Sequence, residues 1–349
     1  MARIAVLTSG GDAPGMNAAL RAILRVGTQL GTEVIGVENG YEGLIDGRFR
    51  LLSPRDLDDS GHTGGTILGS ARSTRFLHPE GRALAATRLD GIDGLVVIGG
   101  NGSLTGALAL ASEHGLAVAG LPASIDNDIG CTALSIGVDT ALNTIVEACD
   151  RISDTARAHR RAFVVEVMGR DCGYLAMAGA VASGADAVVF REQSRSDQEL
   201  VDRLLGALRQ GFAAGKRRFL ALKAEGIGLS TPVLVRRLEE GLADDLPGVT
   251  VRGTVLGHLV RGGNPSYQDR MIAGRLGNVA VRALLGGQSG FMAAWQPPGG
   301  TGEATSDPSV AMVPLPLVLR ETARLLDGTS PITRRRLRMM SEVEGVLAL

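Results

Sequence analysis

With 349 residues the chain is too long for one ordinary hydrophobic core and suits two domains. Its 36 basic and 37 acidic side chains leave a net charge of −1, which gives no electrostatic footprint for nucleic acid or an anionic membrane. Apolar residues at 44% supply a core, and 49 glycines spread along the chain point to many tight turns, so a disordered or low-complexity chain is excluded.

In chain order, an apolar strand at 4–7 leads into a Gly-Gly-Asp-Ala-Pro-Gly turn at 10–15 and a helix over 16–30. A strand at 34–37 follows. The strand at 95–98 runs into a second glycine turn, 99–103, and a helix over 104–113. Asp126, Asn127 and Asp128 come next. A periodic helix over 139–156 then carries Leu142, Ile145, Val146, Cys149 and Ile152 on one face. Strands at 163–167, 187–190 and 219–222 alternate with a helix over 198–213. Farther on, 297–307 is rich in Pro, Gly, Ser and Thr and reads as a loop, 313–326 as a helix, and the basic stretch 334–338 as a solvated face. The strands are continuously apolar, which implies sheets covered on both faces: an α/β fold with mostly parallel sheets. Gly137 is the best candidate for a domain boundary. Cys131, Cys149 and Cys172 lack the paired spacing of metal ligands and read as small buried residues. No run approaches 18 apolar residues and the N-terminus lacks the apolar core of a signal peptide, so the reading is a soluble cytoplasmic protein without a membrane or nucleic-acid partner.

Both glycine turns follow strands and precede helices. Without Cβ atoms the backbone N–H groups there can close on an anion at the positive end of a helix, although each turn alone also suits a plain strand-to-helix connection. Two such turns on one sheet border a crevice at a topological switch point and favour a nucleotide or polyphosphate. Asp126 and Asp128, two apart in an extended segment, would face the same way as a carboxylate pair, one serving as general base; an Asx turn is the bland alternative. Cations for a phosphate ester are Arg72, Arg161, Arg252, His258 and Arg261, and the last two lie three apart in an apolar, glycine-bounded stretch that is not placed for solvation.

The segments 10–17, 64–72, 99–103, 125–128, 164–170, 225–226 and 257–263, in this order and nearly this spacing, resemble 6-phosphofructokinases of the bacterial type over roughly the first 280 residues. The resemblance implies two similar α/β domains with the active site in the cleft between them. A nucleotide-binding domain would comprise 1–137 plus about 260–307, and a sugar-phosphate-binding domain 138–259 plus about 308–349. It also implies ATP and Mg2+ as cofactors and transfer of the γ-phosphoryl to the 1-hydroxyl of fructose 6-phosphate. Asp126 would be the base, with Ser124 and Asp128 beside it and Arg170 stabilising charge on the transferring group. Met168, Gly169 and Glu225 would hold the sugar, and His258 and Arg261 its 6-phosphate. Arg161 and Arg252 would reach a neighbouring chain's substrate in a homotetramer. Gly11, Tyr41, Arg72, Ser73, Gly102 and Ser103 would line the nucleotide.

Gly102 and Ala123 match ATP users, where pyrophosphate users tend to carry Asp and Lys. The magnesium-site aspartate is here Asn101, a neutral ligand that weakens metal binding. That departure leaves a pyrophosphate-dependent enzyme and a catalytically weakened regulatory chain as alternatives. An allosteric effector would meet Arg21, Arg25 and Lys216, with Asp186 in place of the usual glutamate. Ser153 and Ala214 stand where cations are common.

Overall fold

The computed structural model describes residues 1–297 and 299–347. The expected loop therefore has its Pro298, and the expected second domain its last two residues, outside the described residues. The chain opens with β1 (Arg3–Ser9), α1 (Met16–Gln29), β2 (Glu33–Val37), α2 (Gly40–Asp46), β3 (Phe49–Leu51), α3 (Pro54–Asp58), α4 (Pro79–Arg88), β4 (Gly94–Gly99), α5 (Asn101–His114) and β5 (Val118–Pro122). It continues through α6 (Val138–His159), β6 (Ala162–Val167), α7 (Tyr174–Ser183), β7 (Ala187–Val189), α8 (Asp197–Ala213), β8 (Phe219–Ala224), α9 (Thr231–Leu242) and β9 (Val251–Val255). It ends with α10 (Tyr267–Leu285), β10 (Phe291–Trp295), β11 (Glu303–Ala304), β12 (Val310–Pro314), α11 (Leu315–Leu326) and α12 (Pro331–Leu347).

Two compact units result. The first holds residues 1–125, 129–140 and 261–324, and the second 126–128, 141–260 and 325–349. In the first, eight strands run in the order β11-β12-β10-β5-β4-β1-β2-β3, with β1, β2, β4, β5 and β10 parallel and β3, β11 and β12 forming antiparallel edges. One face buries Ala5, Leu7, Leu95 and Val97 against Leu104, Ala107 and Leu110 of α5. On the other, α1 and α10 pack so closely that a Cβ at Gly277 would stand 3.1 Å from that of Ala22. Leu20 and Ile23 of α1 are fully buried, and each such side chain contributes about 1.5–3 kcal/mol.

The second unit is a parallel four-stranded sheet, β7-β8-β6-β9. Ala162, Val164, Ala221 and Val251 face Leu204, Leu208, Leu234 and Leu238 of α8 and α9. Behind the other face, Gly179 of α7 lets Ile145 and Leu222 approach. These are the mostly parallel, helix-covered sheets that continuous apolar strands imply.

Three local expectations change. The helix expected over 313–326 begins at Leu315, because Val313 and Pro314 end a strand that pairs antiparallel with β10; residues 308–324 fall in the first unit. Phe190 leaves β7 and caps a 3-10 turn. In the basic stretch Arg334, Arg335 and Arg338 are exposed, but Arg336 lies 4.6 Å over the Tyr174 ring and 3.5 Å from Cys172 Sγ. Near the antiparallel edge, Arg275 grips Asp307 with two guanidinium nitrogens while stacking 4.7 Å from the Trp295 ring, and that contact holds the Asp307 carboxyl below its ordinary range.

Candidate active site

In the first unit the two glycine turns leave adjacent strands. β1 and β4 pair through Ser9 and Gly99, and the strand order reverses there: β2 lies to one side, β4 and β5 to the other. Ligands of open α/β sheets sit at this point, outside the carboxyl ends of the strands. Gly10 and Gly15 have φ of +89° and +108°, a left-handed backbone that glycine adopts at little cost. Behind the turns α1 and α5 begin at Gly15 and Gly100, caps without side chains, and neither first turn carries an acid. Their N–H groups and positive dipole ends are left for an anion. α5 starts three residues before the expected 104, which brings Asn101 and Gly102 onto that terminus.

Gly102 is exposed, with no atom within 4 Å of where a Cβ would stand. Arg261 donates to the Asp12 carbonyl at 3.0 Å, and its guanidinium covers Gly11. Arg72 is exposed, while the Ser73 hydroxyl accepts the Phe76 N–H at 3.1 Å. Tyr41, expected along the nucleotide, packs against α5. Its ring is buried 3.9 Å from that of Phe76, its hydroxyl donates to the Ser103 carbonyl at 2.6 Å, and burial drives that hydroxyl far above its ordinary pKa. Tyr41 therefore braces α5 from below, and Ser103 is buried with it.

Asp126, Asn127 and Asp128 follow β5. The extended geometry expected of them does not hold: residues 125–126 form a turn and Asn127 is left-handed at φ +50°. Period-two alternation is lost, and the two carboxylates differ, Asp126 being buried and Asp128 half-buried.

Most sugar-phosphate candidates of the second unit gather at the carboxyl end of its sheet. Met168, Gly169 and Arg170 follow β6, Glu225 follows β8, and Gly257 and His258 follow β9; all three strands are parallel and in register. Arg170 holds φ +44°, a strain of about 1–3 kcal/mol for a non-glycine residue. Two contacts maintain it: Glu225 Oε1 accepts the Arg170 N–H at 3.0 Å, and Gly226 packs directly on the Arg170 carbonyl. His258 is exposed on a 3-10 turn in which only Val260 is buried, so the segment is more solvated than its apolar sequence implied. Arg161 precedes β6, a six-residue strand or roughly 20 Å from the residues that follow it, and Arg252 is the second residue of β9, level with Phe163 near the amino end of the sheet.

The effector candidates divide by unit. Arg21 and Arg25 line a cavity of about 330 Å3 with Leu57 and Asp58, and Arg21 Nε is buried without a hydrogen-bond partner. Asp186 and Lys216 form an ion pair at 2.8 Å, and Asp186 also accepts the Leu220 N–H at 2.8 Å. Cys149 and Cys172 are buried and Cys131 half-buried, and desolvation pushes each thiol up to about 11.

Sequence reasoning placed Asn17 in the first turn segment without a task and missed Asp269. Asn17 accepts the Ile67 N–H at 2.8 Å and donates to the Gly64 carbonyl at 3.3 Å, which fixes the loop ahead of Arg72. Asp269 was legible as the fourth residue of a Ser-x-x-Asp helix start at Ser266.

Paired glycine turns at the switch point of a parallel sheet, each aimed by a helix N-terminus, define an α/β protein that binds a phosphorylated nucleotide. The family model described as Phosphofructokinase matches residues 3–284. The chain belongs to the phosphofructokinase family. It is 49% identical to an ATP-dependent 6-phosphofructokinase of Thermotoga petrophila over 85% of this chain and 90% of that one. To ATP-dependent 6-phosphofructokinase 1 of Thermus thermophilus it is 47% identical over 84% and 89%. Among solved structures, a phosphofructokinase from Saccharomyces cerevisiae matches 97% of this chain at TM-score 0.84 and 32% identity; this chain spans half the length of that one.

Proposed function

We propose that the chain transfers the γ-phosphoryl of ATP to the 1-hydroxyl of fructose 6-phosphate, giving fructose 1,6-bisphosphate and ADP. The observation that carries this reading is the pair of glycine turns at the β1/β4 switch point, on a chain nearly half identical to ATP-dependent 6-phosphofructokinases. Phosphoryl transfer needs positioning and charge stabilisation more than covalent chemistry. Asp126 takes the proton of the 1-hydroxyl, with Ser124 and Asp128 beside it. The Arg170 guanidinium meets charge on the transferring group. Met168, Gly169 and Glu225 hold the sugar, His258 and Arg261 its phosphate, and Gly11, Tyr41, Arg72, Ser73, Gly102 and Ser103 the nucleotide.

Magnesium fits as an ion carried chiefly by the nucleotide. Among the described residues no three His, Cys, Asp or Glu side chains gather, and Mg2+ usually keeps several waters and is bound through one or two carboxylates together with substrate phosphates. Asn101, at the first position of α5, offers one carbonyl oxygen. When bound, the ion neutralises charge on the β- and γ-phosphates. Asn101→Asp is expected to lower the magnesium concentration for half-maximal rate severalfold; a magnesium titration giving an equal or higher requirement places the metal elsewhere.

Assembly as a homotetramer with shared sites is part of this reading, and it is supported by Arg161 and Arg252 standing toward the amino end of the sheet, away from Met168, Glu225 and His258 beyond its carboxyl end. The Arg21 and Arg25 cavity suits an anionic effector, and the proposed location is the cytoplasm. Among the described residues no helix is long and apolar enough to cross a membrane.

The deciding assay follows fructose 1,6-bisphosphate formation from fructose 6-phosphate and magnesium, with ATP and pyrophosphate in parallel. Product with ATP alone is expected. Product with pyrophosphate overturns the donor assignment, and product with neither points to a regulatory chain.

A further inference from the structure

Beneath the first glycine turn lies a buried carboxylate to which the roles above give no task. Asp269 opens α10 and is 0% exposed. Its Oδ1 accepts the Gly137 N–H at 2.8 Å, and its Oδ2 accepts the N–H and the hydroxyl of Thr140 at 2.8 and 2.6 Å. The Thr140 oxygen also accepts the Ser266 N–H at 2.9 Å, and the Ser266 hydroxyl accepts the Asp269 N–H at 3.2 Å. One side chain thus closes the first turn of α6 onto the first turn of α10. A carboxylate is retained at such depth where hydrogen bonds replace its hydration, and three donors do so here.

The phosphate-facing turn rests on this knot. A Cβ at Gly137 would stand 2.8 Å from Ala13 Cβ, and one at Gly15 would stand 2.7 Å from Ile136 Cγ2 and 3.6 Å from Asp269 Cβ. Packing that tight leaves residues 13–15 no room to shift unless 136–137 shift as well. From the other side, the segment leading into α10 reaches the same turn through the bond from Arg261 to the Asp12 carbonyl. Gly64 meanwhile abuts the backbone of Gly263.

We propose that Asp269 is a positioning residue for phosphoryl transfer, holding the 10–15 turn where the nucleotide phosphates are set; the proposal rests on the kinase reading above. An asparagine at 269 keeps the shape and can still accept from Gly137. Its NH2 then faces the Thr140 N–H, donor against donor, and the knot opens without a change in volume.

The test compares Asp269→Asn with the wild-type protein well below both melting transitions. Expected are a kcat lowered about ten- to hundredfold, as a misplacement near 1 Å produces, a KM for ATP within threefold, and faster amide hydrogen exchange across 10–17 and 136–140. A purely structural role predicts a lower melting temperature with kcat retained. Asp307→Asn, which breaks the distant Arg275 pair, supplies that pattern as a control. Thr140→Val removes the hydroxyl bridge but leaves the Gly137 bond; it is expected to act in the same direction and decides the matter should Asp269→Asn not fold. A kcat within twofold of wild type in the deciding variant overturns the proposal. If the wild-type protein forms no product from ATP, the kinase reading fails on its own, and unaltered exchange across 10–17 then overturns the positioning role separately.

Discussion

An Asp126→Asn variant is expected to bind fructose 6-phosphate almost as well as the wild-type protein and to turn it over roughly a thousandfold more slowly, within the range of about 10²–10⁴ for a lost general base. The carboxamide matches the carboxylate in size, so the buried turn that carries it keeps its packing. What it lacks is basicity: it cannot take the hydroxyl proton as the phosphoryl group arrives. Turnover measured beside calorimetric binding separates the two effects. A variant with comparable kcat removes Asp126 from the proton transfer, and one with lost binding and unchanged kcat assigns it to the sugar.

Replacing Arg170 by Ala is expected to cost about 10³–10⁵ in kcat, the scale on which an arginine supports phosphoryl-transfer charge. The site is well suited to the experiment, because the left-handed backbone at 170 is held by its own N–H on Glu225 and by Gly226 against its carbonyl. None of these contacts uses the guanidinium, so truncation leaves the clamp in place and the melting temperature near wild type. Arg170→Lys keeps the charge but loses the planar fork and is expected to fall between the two. A single-turnover measurement in which Ala and wild type agree would assign Arg170 to the surface.

Local pattern carried the sequence reading furthest where a single element decides its own structure. The continuously apolar runs at 95–98 and 219–222 are strands because burial on both sheet faces demands such residues, and the first helix begins at Met16 as its turn chemistry implies. Elements that depend on partners were harder to see. β5, with its Ala, Gly and Pro, and β10, with two Ala, become strands through pairing with β4, with β12 and with each other. α7 is almost wholly apolar, so no periodicity marks its face. For the site, residue types located the strand ends, but the left-handed residues at 127 and 170 depend on tertiary contacts, and so the extended view of Asp126 and Asp128 failed. The bracing of α5 by Tyr41 likewise shows only in the fold, because the sequence around an aromatic ring gives no sign of what it packs against.

The interrupted make-up of the larger sheet bears on synthesis. Every strand of the four-stranded sheet has been made once the ribosome passes Val255, whereas β5 must wait for β10, some 170 residues downstream, before its second edge is covered. A nascent chain thus carries a half-finished, apolar parallel sheet through the whole translation of the smaller one. Such an exposed edge invites pairing with other chains. The stretch of translation between Pro122 and Phe291 is accordingly where a chaperone would matter most to this protein.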